Sequence, residues 1–356
     1  MSVHVKQRLT ADLELIRESL IDFQPLSIIL YGGYGRGEGS WVWYNNEICA
    51  PYNDYDILMI LEKKIPEKII KSIRKKLAQD IGIRWVDIGQ KTPKELKKLR
   101  PSIYNYDLKY ASKVIYGEEY ILDQIPHIDV SKLPLEEGNI LFKVRIWTFI
   151  GSLDVNGFDV SLSGDDSRFF RNQMAKAILA VVDILLLQKG AYDSSYGIRV
   201  KRLKNLYSHK KELCLLSEWA FHEKLEPKAP NMNADEVKKL YLKVSQFYID
   251  EMFKMLSKRY KTKINKPQKL IFLWKYYPIT FIKRIGFLII KRSLKLEKQI
   301  LLDIAQLYLL LTFNNHSNSE QYLKKAYKAL NKLDPTVGRN LSWNEARILA
   351  AQMRLL

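Results

Sequence analysis

Cysteine is scarce in this chain of 356 residues, which holds only Cys49 and Cys214. Their positions match no metal-binding spacing, and two thiols make no disulfide framework. Long apolar runs are also lacking, because stretches such as residues 177–188 fall short of the roughly 20 residues that span a bilayer. Residues 1–23 lack the apolar centre of a secretory signal and have the period of an amphipathic helix. We therefore expect a cytoplasmic protein whose stability comes from packing rather than cross-links.

Internal repeats of fixed period and low-complexity tracts are absent from the sequence. Hydrophobic residues make up 47% of the chain and aromatic residues 12%, which excludes an intrinsically disordered protein. A chain of this length commonly forms two domains. We expect the boundary near residue 130, with an α/β or α+β domain over residues 1–130 and an all-α domain over residues 131–356.

Acidic residues are few in the second part of the chain. Residues 1–130 hold 19 Lys and Arg against 18 Asp and Glu, whereas residues 131–356 hold 39 against 21. Residues 254–298 alone hold 14 basic residues and one acid, Glu297. A charge asymmetry of this size is typical of a protein that meets a polyanionic surface or partner.

Apolar periodicity predicts the main elements of the first domain. An amphipathic helix at the start of the chain is followed by strands over 26–33, 55–61 and 83–90 and by a helix with a cationic outer face over 67–82. This order puts helices against a small mixed sheet. Beyond residue 135 the periods are helical at 138–154, 167–190, 210–225 and 233–260, with a helical hairpin over 298–333 and a last helix over 344–356. Residues 191–200 are predicted as a turn.

Two short motifs in the first domain suggest chemistry. Gly32 and Gly33 follow the first strand, and glycines let a backbone approach a triphosphate closely. Asp54 and Asp56 begin the second strand, where a spacing of two places both carboxylates on one face. Asp87 lies in the third strand, and a carboxylate among apolar residues is costly to bury without a compensating partner. Taken singly, the glycines are explained by an ordinary turn and each aspartate by chance. Their combination favours a site that binds phosphate and metal ions.

The segments "GGYGRGE" and "PYNDYDILMIL" resemble those of nucleotidyltransferases of the DNA polymerase β superfamily. The glycine loop is most similar to that of bacterial uridylyltransferases that modify the PII regulatory protein. The resemblance covers residues 29–61 and extends to Asp87 and the segment 107–117, but not to the helical remainder. It implies a nucleotidyltransferase domain that uses a nucleoside triphosphate and two Mg²⁺ ions, with Mn²⁺ as a substitute.

The resemblance also implies roles for individual residues. Asp54 and Asp56 would bind both metal ions, and Asp87 would complete the second metal site and help to deprotonate the acceptor hydroxyl. For nucleotide binding, Gly32 and Gly33 would hold the β and γ phosphates, and Arg36 would neutralise triphosphate charge.

Two departures from the family pattern lie between the glycines and the aspartates. Gly33 stands where Ser is commoner, so a hydroxyl contact to phosphate is lost while the backbone contact remains. The segment "GSWVWYNNEICA" adds roughly ten residues, which we interpret as an extended hairpin beside the site. Its aromatic residues either stack on a base or acceptor ring or pack onto the domain's own surface. These residues are Trp41, Trp43 and Tyr44.

Polar residues of the helical part have competing interpretations. Asp165 and Asp166 are expected to cap a helix N-terminus, the alternative being a phosphate-binding wall formed by Arg168, Arg171 and Lys176. Asp183 on an apolar helix is expected to pair with a nearby basic side chain. The spacing of Arg202 and His209 resembles the ribonuclease motif of HEPN domains, although chance explains so permissive a match.

Residues 269–295 are rich in apolar and aromatic residues, and every charged residue among them is positive. Trp274, Tyr276 and Tyr277 are ring types found at membrane interfaces. Packed helices with basic outer faces, an anionic membrane surface and RNA are all compatible with residues 254–298. The sequence therefore predicts a nucleotidyltransferase acting on a hydroxyl of a small molecule, glycan or protein. The alternatives are an RNA-directed transferase and a membrane-surface or partner-binding protein with a degenerate site. The expected location is the cytoplasm, including the inner membrane surface.

Overall fold

The computed structural model describes residues 2–44, 48–276, 292–314, 318–336 and 341–355. The chain divides into two compact units. The first joins residues 1–137 with 186–227, and the second joins residues 138–185 with 228–356. Among the described residues, none of the helices has the length and apolar content needed to cross a bilayer.

The first unit contains a mixed sheet and a separate hairpin. Its strands are β1 (Ser27–Tyr31), β2 (Trp41–Trp43), β3 (Cys49–Pro51), β4 (Tyr55–Ile60), β5 (Val86–Lys91) and β6 (Lys113–Gly117). The sheet order is β5-β4-β1-β6, in which β4 runs parallel to β5 and β1 runs antiparallel to β4 and β6. The expectation of a small mixed sheet with helices is confirmed. The antiparallel pair β2 and β3 confirms the predicted hairpin, whose residues 45–47 lie outside the described part.

Helices cover both faces of this sheet. In chain order the first part contributes α1 (Val3–Ile21), α2 (Gly32–Gly35), α3 (Glu67–Ile81), α4 (Pro93–Leu96) and α5 (Ile103–Tyr110). On one face Ile28, Ile57 and Met59 pack in a buried cluster with residues of α1 and α3. On the other face Ile29, Leu58 and Ile60 pack with residues of α4 and α5 and the segment 121–133. The alternation of side chains along each strand therefore supplies two cores.

The remaining helices continue the chain order. They are α6 (Glu136–Ile150), α7 (Gly164–Leu187), α8 (Tyr196–Leu206), α9 (Lys211–Leu225), α10 (Ala234–Arg259), α11 (Pro267–Tyr276), α12 (Arg292–Asn314), α13 (Ser319–Leu333) and α14 (Trp343–Leu355). In the second unit, Tyr248 packs edge-on against Phe142 and Phe149. Arg347 is 2% exposed and donates to the carbonyl oxygens of Ile150 and Leu153 at 3.2 and 3.1 Å.

The two units divide the chain differently from the boundary expected at residue 130. Residues 186–227, which carry α8 and α9, belong to the first unit instead of to a second, purely helical domain. The reason is contact with the sheet domain. The Tyr192 hydroxyl donates to both carboxylate oxygens of Asp107 at 3.1 Å, and its ring is buried in the cluster that includes Ile29 and Leu58.

Two local predictions also differ from the structure. The expected turn over 191–200 ends early, because α8 begins at Tyr196 with Ser195 as its N-cap. The expected strand over 83–90 begins only at Val86, because Gly82 closes α3 in the left-handed conformation and the Ile83 N–H donates to the Ala78 carbonyl. Asp87 is therefore the second residue of β5 rather than a residue of its middle.

Candidate functional site

The predicted carboxylates lie at one end of the sheet. Asp56 and Asp87 are register partners on the parallel strands β4 and β5, so their side chains project from the same face. Asp54 immediately precedes β4, two positions before Asp56. Tyr55, between the two acids, points the opposite way, and its hydroxyl donates to buried Asp12 at 2.8 Å. The period of the strand thus separates a packing tyrosine from the acids of the site.

Gly32 lies directly against the carboxylate of Asp56. Its φ of +66° is in the left-handed region. A Cβ atom at this position would stand 2.0 Å from Oδ2 of Asp56, far inside contact distance. Gly33 differs, since a Cβ there would approach nothing closer than the Glu38 carbonyl oxygen at 3.4 Å. The first glycine of the loop is therefore required by the close approach of the backbone to Asp56.

The electrostatics of Asp56 reflect its acidic neighbours. Burial, and then the charges of Asp54 and Asp87, raise the pKa of Asp56 to about 7. The positive charges of Arg36 and Lys224 oppose this rise only in part. A carboxyl group with this pKa exchanges its proton near neutral pH, which is a property common at functional sites.

Arg36 is held by the protein's own acids. Its Nη1 donates to Asp107 at 3.2 Å, its Nε lies 3.7 Å from a carboxylate oxygen of Glu38, and the guanidinium stands over the Tyr196 ring. Only 9% of its side chain is exposed. These contacts fix the guanidinium beside the glycine loop, and its buried Nε has no hydrogen-bond partner among the described residues.

Glu38, the last residue of the glycine-loop motif, caps helix α8. Its carboxylate accepts from the Ser195 hydroxyl at 2.7 Å, from the Tyr196 N–H at 2.8 Å and from the Gly197 N–H at 3.1 Å. A carboxylate at a helix N-terminus satisfies free N–H groups and interacts favourably with the helix dipole. The loop beside Asp56 is thereby tied to a helix 158 residues further along the chain.

Lys224 of α9 supplies a buried positive charge near Asp56. It is 5% exposed, and its Nζ donates to the Ser40 hydroxyl at 2.7 Å. The same hydroxyl accepts from Asn53 Nδ2 at 3.0 Å and donates to the Lys224 carbonyl oxygen. Sequence reasoning missed Lys224, because a single lysine in a chain with 58 Lys and Arg residues gives no signal of its own.

Two tyrosines flank the carboxylates. Tyr31 is the register partner of Asp56 on β1, and its ring meets that of Tyr104 edge-on at a centroid distance of 5.6 Å. Burial, then Tyr104, then the charges of Asp56 and Asp87 raise the pKa of Tyr31. Tyr104 is 45% exposed and so offers ring surface to a ligand at this end of the sheet. Neither tyrosine belongs to a motif, so the sequence alone did not single them out.

The aromatic residues of the hairpin divide between the two predicted roles. Trp41 is buried and packs edge-on against Tyr34 at 5.5 Å, so it belongs to the core of the unit. Trp43 and Tyr44 are exposed, at 37% and 71%. Only these two remain available for stacking on a ligand.

The carboxylates of Asp54, Asp56 and Asp87 are chemically suitable ligands for Mg²⁺. Mg²⁺ prefers carboxylate oxygens, and a divalent cation would offset the repulsion that raises the pKa of Asp56. Within the described ranges, however, no three His, Cys, Asp or Glu side chains are gathered closely enough to form a metal site. The fit of the three aspartates to Mg²⁺ is therefore one of ligand chemistry.

The polar residues that the sequence singled out in the helical part lie mostly on α7 and α8. Asp165 and Asp166 lie in the first turn of α7, where Arg168 pairs with Asp165. Asp183 is buried at 8% exposure. Arg202 donates to the carbonyl oxygens of Ala191 and Tyr192 and pairs with Asp193, so it stabilises the turn before α8. Its guanidinium is thus used in a different way from that expected of a ribonuclease motif.

The basic segment 254–298 is described only in part. Residues 277–291 lie outside the described residues, and with them Tyr277 and much of the expected membrane or RNA partner site. Trp274 is 1% exposed and donates through Nε1 to Asn139 at 3.1 Å. Of the alternatives kept open for this segment, packing in the core is the one that describes the Trp274 ring.

Comparison of the chain with protein-family models, with curated proteins and with solved structures gave no match. The resemblance to nucleotidyltransferases therefore depends on residues 29–61, Asp87 and the segment 107–117.

Proposed function

We propose that this chain is a metal-dependent nucleotidyltransferase, which moves a nucleoside monophosphate from a nucleoside triphosphate to an acceptor hydroxyl. The observation that carries the proposal is the pairing of Asp56 with Asp87 across β4 and β5, with Gly32 in contact with the Asp56 carboxylate. A glycine loop beside acidic side chains on adjacent strands is an arrangement that suits phosphoryl transfer.

Asp54, Asp56 and Asp87 are the residues that would hold Mg²⁺ or Mn²⁺. When bound, such ions neutralise charge on the phosphates and stabilise the attacking and leaving oxygens. The deprotonated form of Asp56 is the ligand, and its pKa of about 7 makes the site sensitive to pH in the neutral range.

The glycine loop would bind the triphosphate through its backbone. Gly32 brings the main chain next to Asp56, and Gly33 leaves its own surroundings uncrowded. We assign Arg36 to fixing this loop through Asp107 and Glu38, and Lys224 to supplying positive charge towards the phosphates. The exposed ring of Tyr104 offers a surface on which a base could stack.

The transfer step forms a bond between the acceptor oxygen and the α phosphorus. The bond from that phosphorus to the bridging oxygen breaks, and its electron pair leaves with pyrophosphate. The acceptor proton passes to the carboxylate of Asp87, which faces the same side of the sheet as Asp56.

Incubation with each labelled nucleoside triphosphate and Mg²⁺, in the presence of a cell extract, tests the proposal. We expect label to reach a metabolite, a glycan, a protein or RNA, and the labelled product then separates the RNA-directed alternative from the others. Calorimetric titration of the nucleotide with and without Mg²⁺ gives a readout that requires no acceptor.

The double variant Asp54→Asn with Asp56→Asn is expected to lose both transfer and Mg²⁺-dependent nucleotide binding. Asp80→Asn is the matched control, because Asp80 is an exposed acid on α3 outside the site. Transfer that survives in the double variant would show that the carboxylates do not bind the metal. Absence of nucleotide binding in the wild type would favour a binding protein with a degenerate site.

A further inference from the structure

The turn between α10 and α11 is an ordered, strongly basic surface. The Thr262 N–H donates to the Ser257 carbonyl oxygen at 3.0 Å, and the Ile264 N–H donates to the Ser257 hydroxyl at 2.9 Å. The Ile264 side chain is 4% exposed and anchors the turn in the second unit. These contacts fix the backbone, so the side chains between the two helices project from a defined position.

Four lysines and one phenylalanine form what we call the basic patch. Its members are Lys261, Lys263, Lys266, Lys269 and Phe272, all exposed. Phe272 is 60% exposed, although it is a large apolar side chain. In the part of the chain that the structure describes, no carboxylate forms an ion pair with any of these four lysines.

The opposite side of α11 explains why the patch faces outwards. Leu270 and Trp274 are buried, and the Trp274 ring lies 4.7 Å from the Lys143 ammonium. Lys269 and Phe272 are three positions apart and share the exposed side of the helix. One side of α11 is thus used for packing, while the other presents positive charge around an apolar ring.

We infer that the basic patch binds the surface of an anionic lipid bilayer, a property that goes beyond nucleotide transfer. No Asp or Glu lies between Glu251 and Glu297, so no acidic residue of this stretch repels lipid headgroups. Lysines near an anionic surface and an apolar side chain entering the headgroup region act together in peripheral membrane binding.

The composition of the patch favours lipid over RNA. All four of its charges are lysines, whereas phosphate and base recognition in nucleic acids uses the planar guanidinium of arginine. Binding of single-stranded RNA also uses several aromatic rings on which successive bases stack, and the patch holds one ring. Lysine charge around a single exposed apolar side chain is the arrangement suited to a bilayer surface.

Vesicle flotation of the full chain tests the inference. The vesicles are phosphatidylcholine alone or phosphatidylcholine with phosphatidylserine, each at low and at high salt. We expect binding only to the vesicles that contain phosphatidylserine, and weaker binding at high salt. Lys266→Ala with Lys269→Ala should lower the partition coefficient about 25-fold, since each basic residue contributes about fivefold. Adding Phe272→Ser to this double variant should lower the partition coefficient further, at low and at high salt.

Lys238→Ala with Lys239→Ala is the matched control. Both lysines are exposed near the start of α10, and the pair has the same change in net charge. Retention of binding in this control, with loss in the patch variants, supports the inference. Equal loss in both double variants, equal binding to neutral vesicles, or salt-dependent binding to single-stranded RNA without flotation would each overturn it. Transfer activity serves as an independent measurement, because no patch residue lies in the proposed catalytic site.

Discussion

Asp56 lies among charges of its own sign at the end of the sheet. Burial and the neighbouring acids Asp54 and Asp87 raise its pKa to about 7, and Lys224 and Arg36 reduce the rise only partly. The sequence predicted that Asp54 and Asp56 share a face, because strand side chains alternate with period two. It did not predict the charge balance, because the opposing lysine comes from a helix far along the chain.

The first prediction concerns the pH dependence of stability. Because the pKa of Asp56 is higher in the folded protein than the ordinary value of 3.8, the folded state binds its proton more tightly than the unfolded state. Stability is therefore lost as the pH rises from about 4 to about 7. In Mg²⁺-free buffer, Asp56→Asn should stabilise the protein by about 4 kcal/mol at pH 8 and hardly at all at pH 4.

Urea denaturation at the two pH values measures this difference. Asp80→Asn should show no comparable dependence on pH. Mg²⁺ should stabilise the wild type more strongly at pH 8 than at pH 5, since the cation binds the deprotonated carboxylates. A stabilising effect of Asp56→Asn that is equal at pH 4 and pH 8 would contradict the assigned electrostatics.

The second prediction uses the contrast between Gly32 and Gly33. Gly32→Ala forces a Cβ against the Asp56 carboxylate and strains a backbone with φ of +66°, so we expect a loss of about 1–3 kcal/mol in stability. Gly33→Ala adds only an ordinary contact, so its free energy of unfolding should lie within about 0.5 kcal/mol of the wild-type value. Thermal unfolding distinguishes them, and equal effects would mean that Gly32 is not tightly packed against Asp56.

The third prediction concerns Lys224. Lys224→Met removes the positive charge that opposes the raised pKa of Asp56, so this pKa should rise further. Mg²⁺-dependent nucleotide binding should weaken about tenfold, and its pH profile should move to higher pH. Lys201→Met is the control, since Lys201 is exposed on α8. An unchanged pH profile in Lys224→Met would leave the lysine with a purely structural role.

At the scale of the elements, α8 shows how a helix can depend on a distant residue. The stretch 191–200 carries Ser, Asp and Gly residues that favour a turn, and the sequence was interpreted accordingly. The structure starts a helix at Tyr196 because the Glu38 carboxylate accepts from its first N–H groups. A cap supplied from 158 residues away leaves no trace in the local pattern.

The fourth prediction follows from this cap. Glu38→Ala leaves the N–H groups of Tyr196 and Gly197 without their carboxylate acceptor, so stability should fall by about 2 kcal/mol. Hydrogen exchange of the first turn of α8 should accelerate more than that of α9. Glu62→Ala, at an exposed position, provides the comparison. Unchanged exchange in α8 would mean that Ser195 alone caps the helix.

At the scale of the whole molecule, the first unit is discontinuous in sequence. Its sheet and first helices come from residues 1–137, and α8 and α9 return to it after the excursion through the second unit. Tyr192, at 1% exposure, joins the cluster that includes Leu58 and Leu133. The sheet domain is therefore incomplete without residues 186–227.

The fifth prediction tests this organisation. A fragment of residues 1–130 should lack a cooperative thermal transition and should bind a hydrophobic dye, because part of its core is missing. Residues 1–137 joined by a flexible linker to residues 186–227 should unfold cooperatively. The discontinuous unit would be refuted by a 1–130 fragment that unfolds as cooperatively, and at as high a temperature, as the joined protein.

Local sequence was sufficient for the strands β1 and β4 and for helices such as α1, α3 and α10. These features depend on residues a few positions apart, whose periodicity and capping signals are written in the chain. Other features join segments that are distant in sequence. They are the pairing of Asp56 with Asp87, the hydrogen bond from Lys224 to Ser40 and the capping of α8 by Glu38. Such contacts arise only when strands take their register and helices pack, so the composition of the site beyond its motifs was settled by the fold.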